Sequence, residues 1–205
     1  MLFLLSILWL IRETKAILFY LYLWQLKEYH IGRFLDHFRT EKGKRLIFNS
    51  LNLLKILLIS GFFIFPFYFP FILVALYTLE VAKALTDFFQ KRLKKPVLTK
   101  KTVFLILAAL LLEILFIFAN WFRLTPSFAL WLLIFDIFTL AIASGITLIF
   151  QPLVVLGRNQ IIKKAKKKRD DFKNLLVIGI TGSYGKTSTK EFLATILSEK
   201  FKVLK

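Results

Sequence analysis

Cysteine is absent from the 205 residues, which excludes disulfides, thiol nucleophiles and thiolate metal sites without identifying a compartment. Acids are scarce: 12 Asp and Glu stand against 30 Lys and Arg, a formal charge of +18. Glycine and proline are few, at 8 and 5, while 58% of the chain is hydrophobic and 17% aromatic. A soluble domain rarely reaches that hydrophobic fraction, and here the apolar residues come in long runs rather than an even sprinkling. The first residues do not read as a convincing cleavable signal either. Leu2–Ile11 is apolar, but no basic residue precedes it and no small-x-small site follows. No internal repeat of fixed period is present.

What is present is positive charge gathered beside the apolar runs. One block holds Lys27, Arg33, Arg39, Lys42, Lys44 and Arg45; a second runs from Lys83 to Lys101; a third runs from Arg158 to Lys173. This is the distribution that positive-inside topology produces. No DNA or RNA motif accompanies it, so nucleic acid is not an expected partner. The expected partners are the bilayer and its anionic headgroups, with all basic blocks in the cytoplasm of a multi-pass plasma-membrane protein.

The first apolar segment, 2–24, carries Arg12, Glu13 and Lys15 near its middle. Three central charges cost about 7–10 kcal/mol on the insertion scale, and its Leu, Ile and Phe return about 4–8. Alone it is marginal, so it either lies at the interface or has partners inside the membrane. The stretch 25–47 reads as an amphipathic helix on the cytoplasmic leaflet, with Ile31, Phe34, Leu35 and Phe38 as its apolar stripe. The run 48–79 would overshoot a ~30 Å hydrocarbon core as one straight helix. Its Gly61–Pro70 centre offers a break, and basic residues on both sides favour a hairpin, with a single kinked span left open. Segments 103–122 and 128–150 are the cleanest spans, joined near Leu124–Thr125 by a short outward turn.

Glu113 and Asp136 lie inside these two spans, equally far from that turn and hence at similar depth. Intramembrane acids are functional candidates by default. The favoured reading pairs them with Arg12 or Lys15, which resolves both sets of misplaced charges together; a proton or ion pathway is the alternative.

Near the end of the chain stands Leu175–Ile180, a short continuous apolar run of the parallel-strand type. Thr181-Gly182-Ser183-Tyr184-Gly185-Lys186-Thr187-Ser188 follows, and then Phe192, Leu193, Ile196 and Leu197 at helical spacing. Phe201–Leu204 reads as a further strand. The expected fold class is therefore an α-helical membrane domain followed by the first βαβ piece of an α/β P-loop domain. The expected division is membrane domain 1–156, basic juxtamembrane linker 157–174 and α/β part 175–205.

The chemistry of 181–188 follows from its parts. Gly182 and Gly185 allow a turn in which backbone N–H groups and a helix N-terminus face phosphates. Lys186 reaches the β- and γ-phosphates of ATP, and the Thr187 hydroxyl ligates Mg²⁺. The strict G-x-x-x-x-G-K-[ST] spacing is not met, because its first glycine falls on Ile180.

With Thr189-Lys190-Glu191 after it, the loop closely resembles the T-G-x-x-G-K-[ST] phosphate loop of the Mur ligase family, most of all its D-alanyl-D-alanine-adding branch. The resemblance covers about Leu175–Lys205. It implies a membrane-anchored, ATP- and Mg²⁺-dependent amide-forming ligase of peptidoglycan precursor synthesis, acting on a UDP- or lipid-linked muramoyl peptide. It also implies that the later Mg²⁺-holding acid, the substrate-activating residues and the C-terminal amino-acid domain are missing. The expectation is thus the N-terminal part of a longer protein or a truncated product, with no catalytic residue in this chain. A P-loop ATPase coupled to transport, or a membrane scaffold, is the alternative.

Overall fold

Long apolar runs with few breakers must satisfy their backbone internally, and the chain does so almost entirely as α-helix. The computed structural model describes residues 1–123, 125–172 and 176–204; expectations falling on Leu124, Lys173, Leu175 and Lys205 lie outside the described residues. The helices are α1 (Leu2–Leu26), α2 (Ile31–Arg39), α3 (Glu41–Ile47), α4 (Ser50–Ile64), α5 (Phe69–Phe89), α6 (Lys100–Asn120), α7 (Thr125–Ile137), α8 (Thr139–Asp170) and α9 (Lys186–Ser198). Two units result, Met1–Leu156 and Gly157–Lys205.

Glu41–Ile64, Phe69–Phe89 and Lys100–Asn120 in the first unit, and Thr139–Asp170, which begins there, are long and apolar enough to cross a membrane. Their outward faces carry exposed Phe and Leu, such as Phe63 at 76% and Leu79 at 71%, surface that water would penalise and lipid tails accept. The central helix is α1, which is not among these four. It packs on α5, α6 and α7. Leu5 and Trp9 join Phe69, Leu73, Tyr77, Phe128 and Leu132 in one core, and the Trp9 indole N–H donates to the Leu132 carbonyl at 2.9 Å. Lower on the same helix, Ile17 and Leu21 meet Leu105, Ala109 and Ile146. A segment that is marginal alone is thus enclosed by its neighbours.

The stretch 25–47 is two helices, not the single amphipathic helix expected. Thr40 ends α2 and caps α3, its hydroxyl oxygen accepting from the Gly43 N–H at 3.2 Å. The apolar stripe divides accordingly: Phe34 is buried, stacked on Trp24 with ring centroids 3.9 Å apart, whereas Ile31 and Leu35 are exposed. Gly43 makes this corner, because a Cβ there would lie 2.0 Å from the His37 carbonyl oxygen. Gly43→Ala should therefore push α3 away from α2 at a cost of about 1–3 kcal/mol, visible as a lowered melting temperature in detergent. An unchanged melting temperature would contradict that packing.

The apolar run after Asn49 breaks at Phe65–Tyr68 and reverses, so that α4 and α5 form a hairpin closed by Lys55 on one arm and Glu80 on the other. The stretch expected as one helix over 128–150 is interrupted at Phe138, where the Thr139 hydroxyl lies 2.6 Å from the Asp136 carbonyl. The helix that follows continues through Pro152 and the basic block to Asp170.

In the second unit the expected βαβ piece does not form. The described residues contain no strand, and Leu176–Ile180 and Lys202–Leu204 have no regular structure. A strand exists only through a ladder partner, and these two segments do not pair with each other or with any other described segment. Leu176 and Val177 stay mostly exposed. Only the helical component, α9, is present. Ile178, Ile180, Leu193, Leu197 and Val203 line an open groove of about 490 Å³ along it.

Candidate functional site

Residues 181–188 form an exposed loop running into the first turn of α9. Gly185 is the residue before the helix and has φ 74°, ψ 1°, the left-handed region that favours glycine. Gly182 has φ 153°, and the Tyr184 carbonyl turns back toward it, 3.6 Å from where a Cβ would stand. No side chain caps the N-terminus of α9, so the N–H groups of its first turn point outward from Lys186, Thr187 and Ser188 without a capping oxygen. The Lys186 ammonium folds back over the loop and donates to the Gly182 carbonyl.

The loop residues named from sequence are thus partly brought together. Gly182, Gly185 and Lys186 close one turn. Thr187 and Ser188 occupy the first turn of the helix, and Thr181, Ser183 and Tyr184 are exposed on the loop, Tyr184 at 97%. Phosphates fit this arrangement: uncapped N–H donors at a helix start, a left-handed glycine, and a lysine already bent over the same space. For Mg²⁺ the fit is narrower. The Thr187 hydroxyl is one oxygen ligand, and the described residues hold no group of three His, Cys, Asp or Glu able to bind a metal ion.

The second concentration of charge is buried in the first unit. Arg12 contacts Glu13 at 2.7 Å, Glu80 at 3.0 Å and also Asp136. Lys55 lies 2.7 Å from Glu80 and 2.8 Å from Asp136. Arg12 and Lys55 therefore share Glu80 and Asp136 between them, and the Thr139 hydroxyl donates to Glu13. Lys55 and Asp136 are each 1% exposed, and Glu13 is fully buried. The ion pairs join α1, α4, α5 and α7 at this point, and Thr139 adds the start of α8. Outside it, Lys15 pairs with Asp87 at 2.7 Å.

Asp136 thus has the Arg12 partner expected for it. Glu113 does not: one of its oxygens accepts from the Thr14 hydroxyl at 3.2 Å, and the other has no hydrogen-bond partner among the described residues. Glu13 is one of the central charges read in 2–24, but neither it nor Lys55 nor Glu80 is given a partner by the sequence. Lys55 and Glu80 stand nearly equally far from the Phe65–Tyr68 break, so the counting that relates Glu113 to Asp136 across their turn also identifies this pair.

In comparison with known proteins, no family model, no curated protein and no solved structure matches this chain.

Proposed function

We propose that the loop Thr181–Ser188 binds the phosphates of Mg²⁺-ATP for an amide-forming ligase reaction of the Mur ligase type, attached to a membrane-embedded helical domain. The observation that carries this reading is left-handed Gly185 placed directly before Lys186 at the uncapped start of α9, with the lysine ammonium held over the loop. The first-turn N–H groups and Lys186 hold the β- and γ-phosphates, and Thr187 offers its hydroxyl to the metal. The residues of this chain grip and neutralise phosphate. The amide chemistry is supported only by the loop's resemblance, and its substrate on this reading is a UDP- or lipid-linked muramoyl peptide.

The basic blocks flanking the membrane-length helices support a cytoplasmic position for the loop, where ATP is available. The transport reading is weaker, because Asp136 is neutralised by Arg12 and Lys55 rather than open to a passing ion.

The test is a nucleotide series on the full chain in lipid nanodiscs. Affinity is expected to fall from ATP through ADP to AMP, with adenosine not binding measurably, because recognition lies in the phosphates. Adenosine binding as tightly as ATP, or no binding of ATP, would sink the proposal.

A further inference from the structure

A cavity of about 430 Å³ opens in the first unit between α1, the C-terminal half of α5 and the segment that follows α5. Its deep end is formed by Arg12 and Glu80, which are already engaged in the buried ion network. Its middle is the Lys15–Asp87 pair. Its rim is different. Lys83, Arg92 and Lys94 all line it, all are exposed, and none has an ion-pair partner among the described residues. The chain places them deliberately: Lys91 takes a left-handed φ of 54°, and the Arg92 N–H bonds back to the Asp87 carbonyl at 2.8 Å, bringing Arg92 over the end of α5.

The remaining wall is apolar, with Phe19 from α1 and Leu51 from α4. The helix that bears Lys83 also leaves Leu79, Leu85 and Phe88 at least half exposed. Three unpaired cations beside a greasy wall, one on a helix long enough to cross a membrane and two just past its end, suit an amphiphile with an anionic head. Free phosphate uses the cations alone and leaves the wall without a role.

We propose that this cavity is a binding site for the phosphate headgroup of an anionic phospholipid, with Lys83, Arg92 and Lys94 as its charge-recognising residues and the apolar wall receiving the start of the acyl chains. The site belongs to the first unit, uses no residue of the 181–188 loop, and rests on the membrane-length helices being spans.

Native mass spectrometry of the full chain, presented with equal dioleoylphosphatidylglycerol and dioleoylphosphatidylcholine, reads it directly. One phosphatidylglycerol should be retained in preference to phosphatidylcholine. The triple variant Lys83→Ala, Arg92→Ala, Lys94→Ala should weaken this roughly a hundredfold, and Lys94→Ala alone about fivefold. A second triple variant, Lys163→Ala, Lys164→Ala, Lys167→Ala, loses the same charge from the basic end of α8 and should bind as the wild type does. Equal losses in both triples would show general surface attraction and overturn the site. So would equal retention of the two lipids, or displacement of phosphatidylglycerol by millimolar inorganic phosphate.

Discussion

Replacing Lys55 by Met should destabilise the membrane domain by about 3–5 kcal/mol, the cost of removing one partner from a buried ion pair. The ammonium is 1% exposed and neutralises Asp136 at 2.8 Å and Glu80 at 2.7 Å. Lys55 is shared by two carboxylates, Glu80 and Asp136, and Arg12 contacts both of these as well as Glu13. Losing Lys55 leaves Glu80 and Asp136 with Arg12 alone. Losing the Asp136 charge leaves both cations still paired to Glu80. The effects are therefore asymmetric: Asp136→Asn, nearly isosteric, should cost markedly less than Lys55→Met.

A double-mutant cycle makes this quantitative. Adding Asp136→Asn to Lys55→Met should recover about 1–3 kcal/mol, because the second change relieves the repulsion that the first creates. A parallel cycle of Arg12→Leu with Glu113→Gln should be additive within about 0.5 kcal/mol, since Glu113 bonds to Thr14 instead. Reversible unfolding in detergent, followed by the fluorescence of Trp9 and its neighbours, reports these differences. Equal costs for Lys55→Met and Asp136→Asn, adding without coupling, would remove the charge-network account.

Much of the membrane architecture is legible in the sequence because it depends on local quantities. Hydropathy and length mark the apolar runs, and Gly61–Pro70 marks a break that falls at Phe65–Tyr68. The charges of α1 announce that it needs partners. Which partners it takes depends on how helices are rotated against one another, and a linear pattern does not record rotation. Asp136 could be assigned to Arg12 because few cations are available at that depth, while Glu113 was equally eligible and went elsewhere. The Phe138 break was hidden because it falls inside an otherwise uniform apolar stretch. The βαβ expectation failed for a non-local reason. Leu176–Ile180 has the composition of a buried strand, but composition does not provide the neighbouring strand that would make it one. The glycine-lysine turn is different, since the left-handed Gly185 and the start of α9 at Lys186 need only adjacent residues.

Lys186→Ala carries the largest expected effect on ligand binding. A charge-assisted hydrogen bond to phosphate contributes about 1.5–3 kcal/mol, which corresponds to a loss of roughly 10- to 150-fold in ATP affinity. Lys190, one turn further along α9, supplies the control. It lies 3.4 Å from Glu191, is half exposed and is not part of the 181–188 turn. Its replacement by Ala should change affinity by less than about threefold, the scale of an exposed ion pair.

The most direct test is a calorimetric titration of Mg²⁺-ATP into the full chain held in lipid nanodiscs, run on wild type, Lys186→Ala and Lys190→Ala. A phosphate-gripping loop predicts one saturable site in the wild type, at least tenfold weakening in Lys186→Ala and near-normal binding in Lys190→Ala. Absence of a saturable site in the wild type, or equal affinity in wild type and Lys186→Ala, would contradict it.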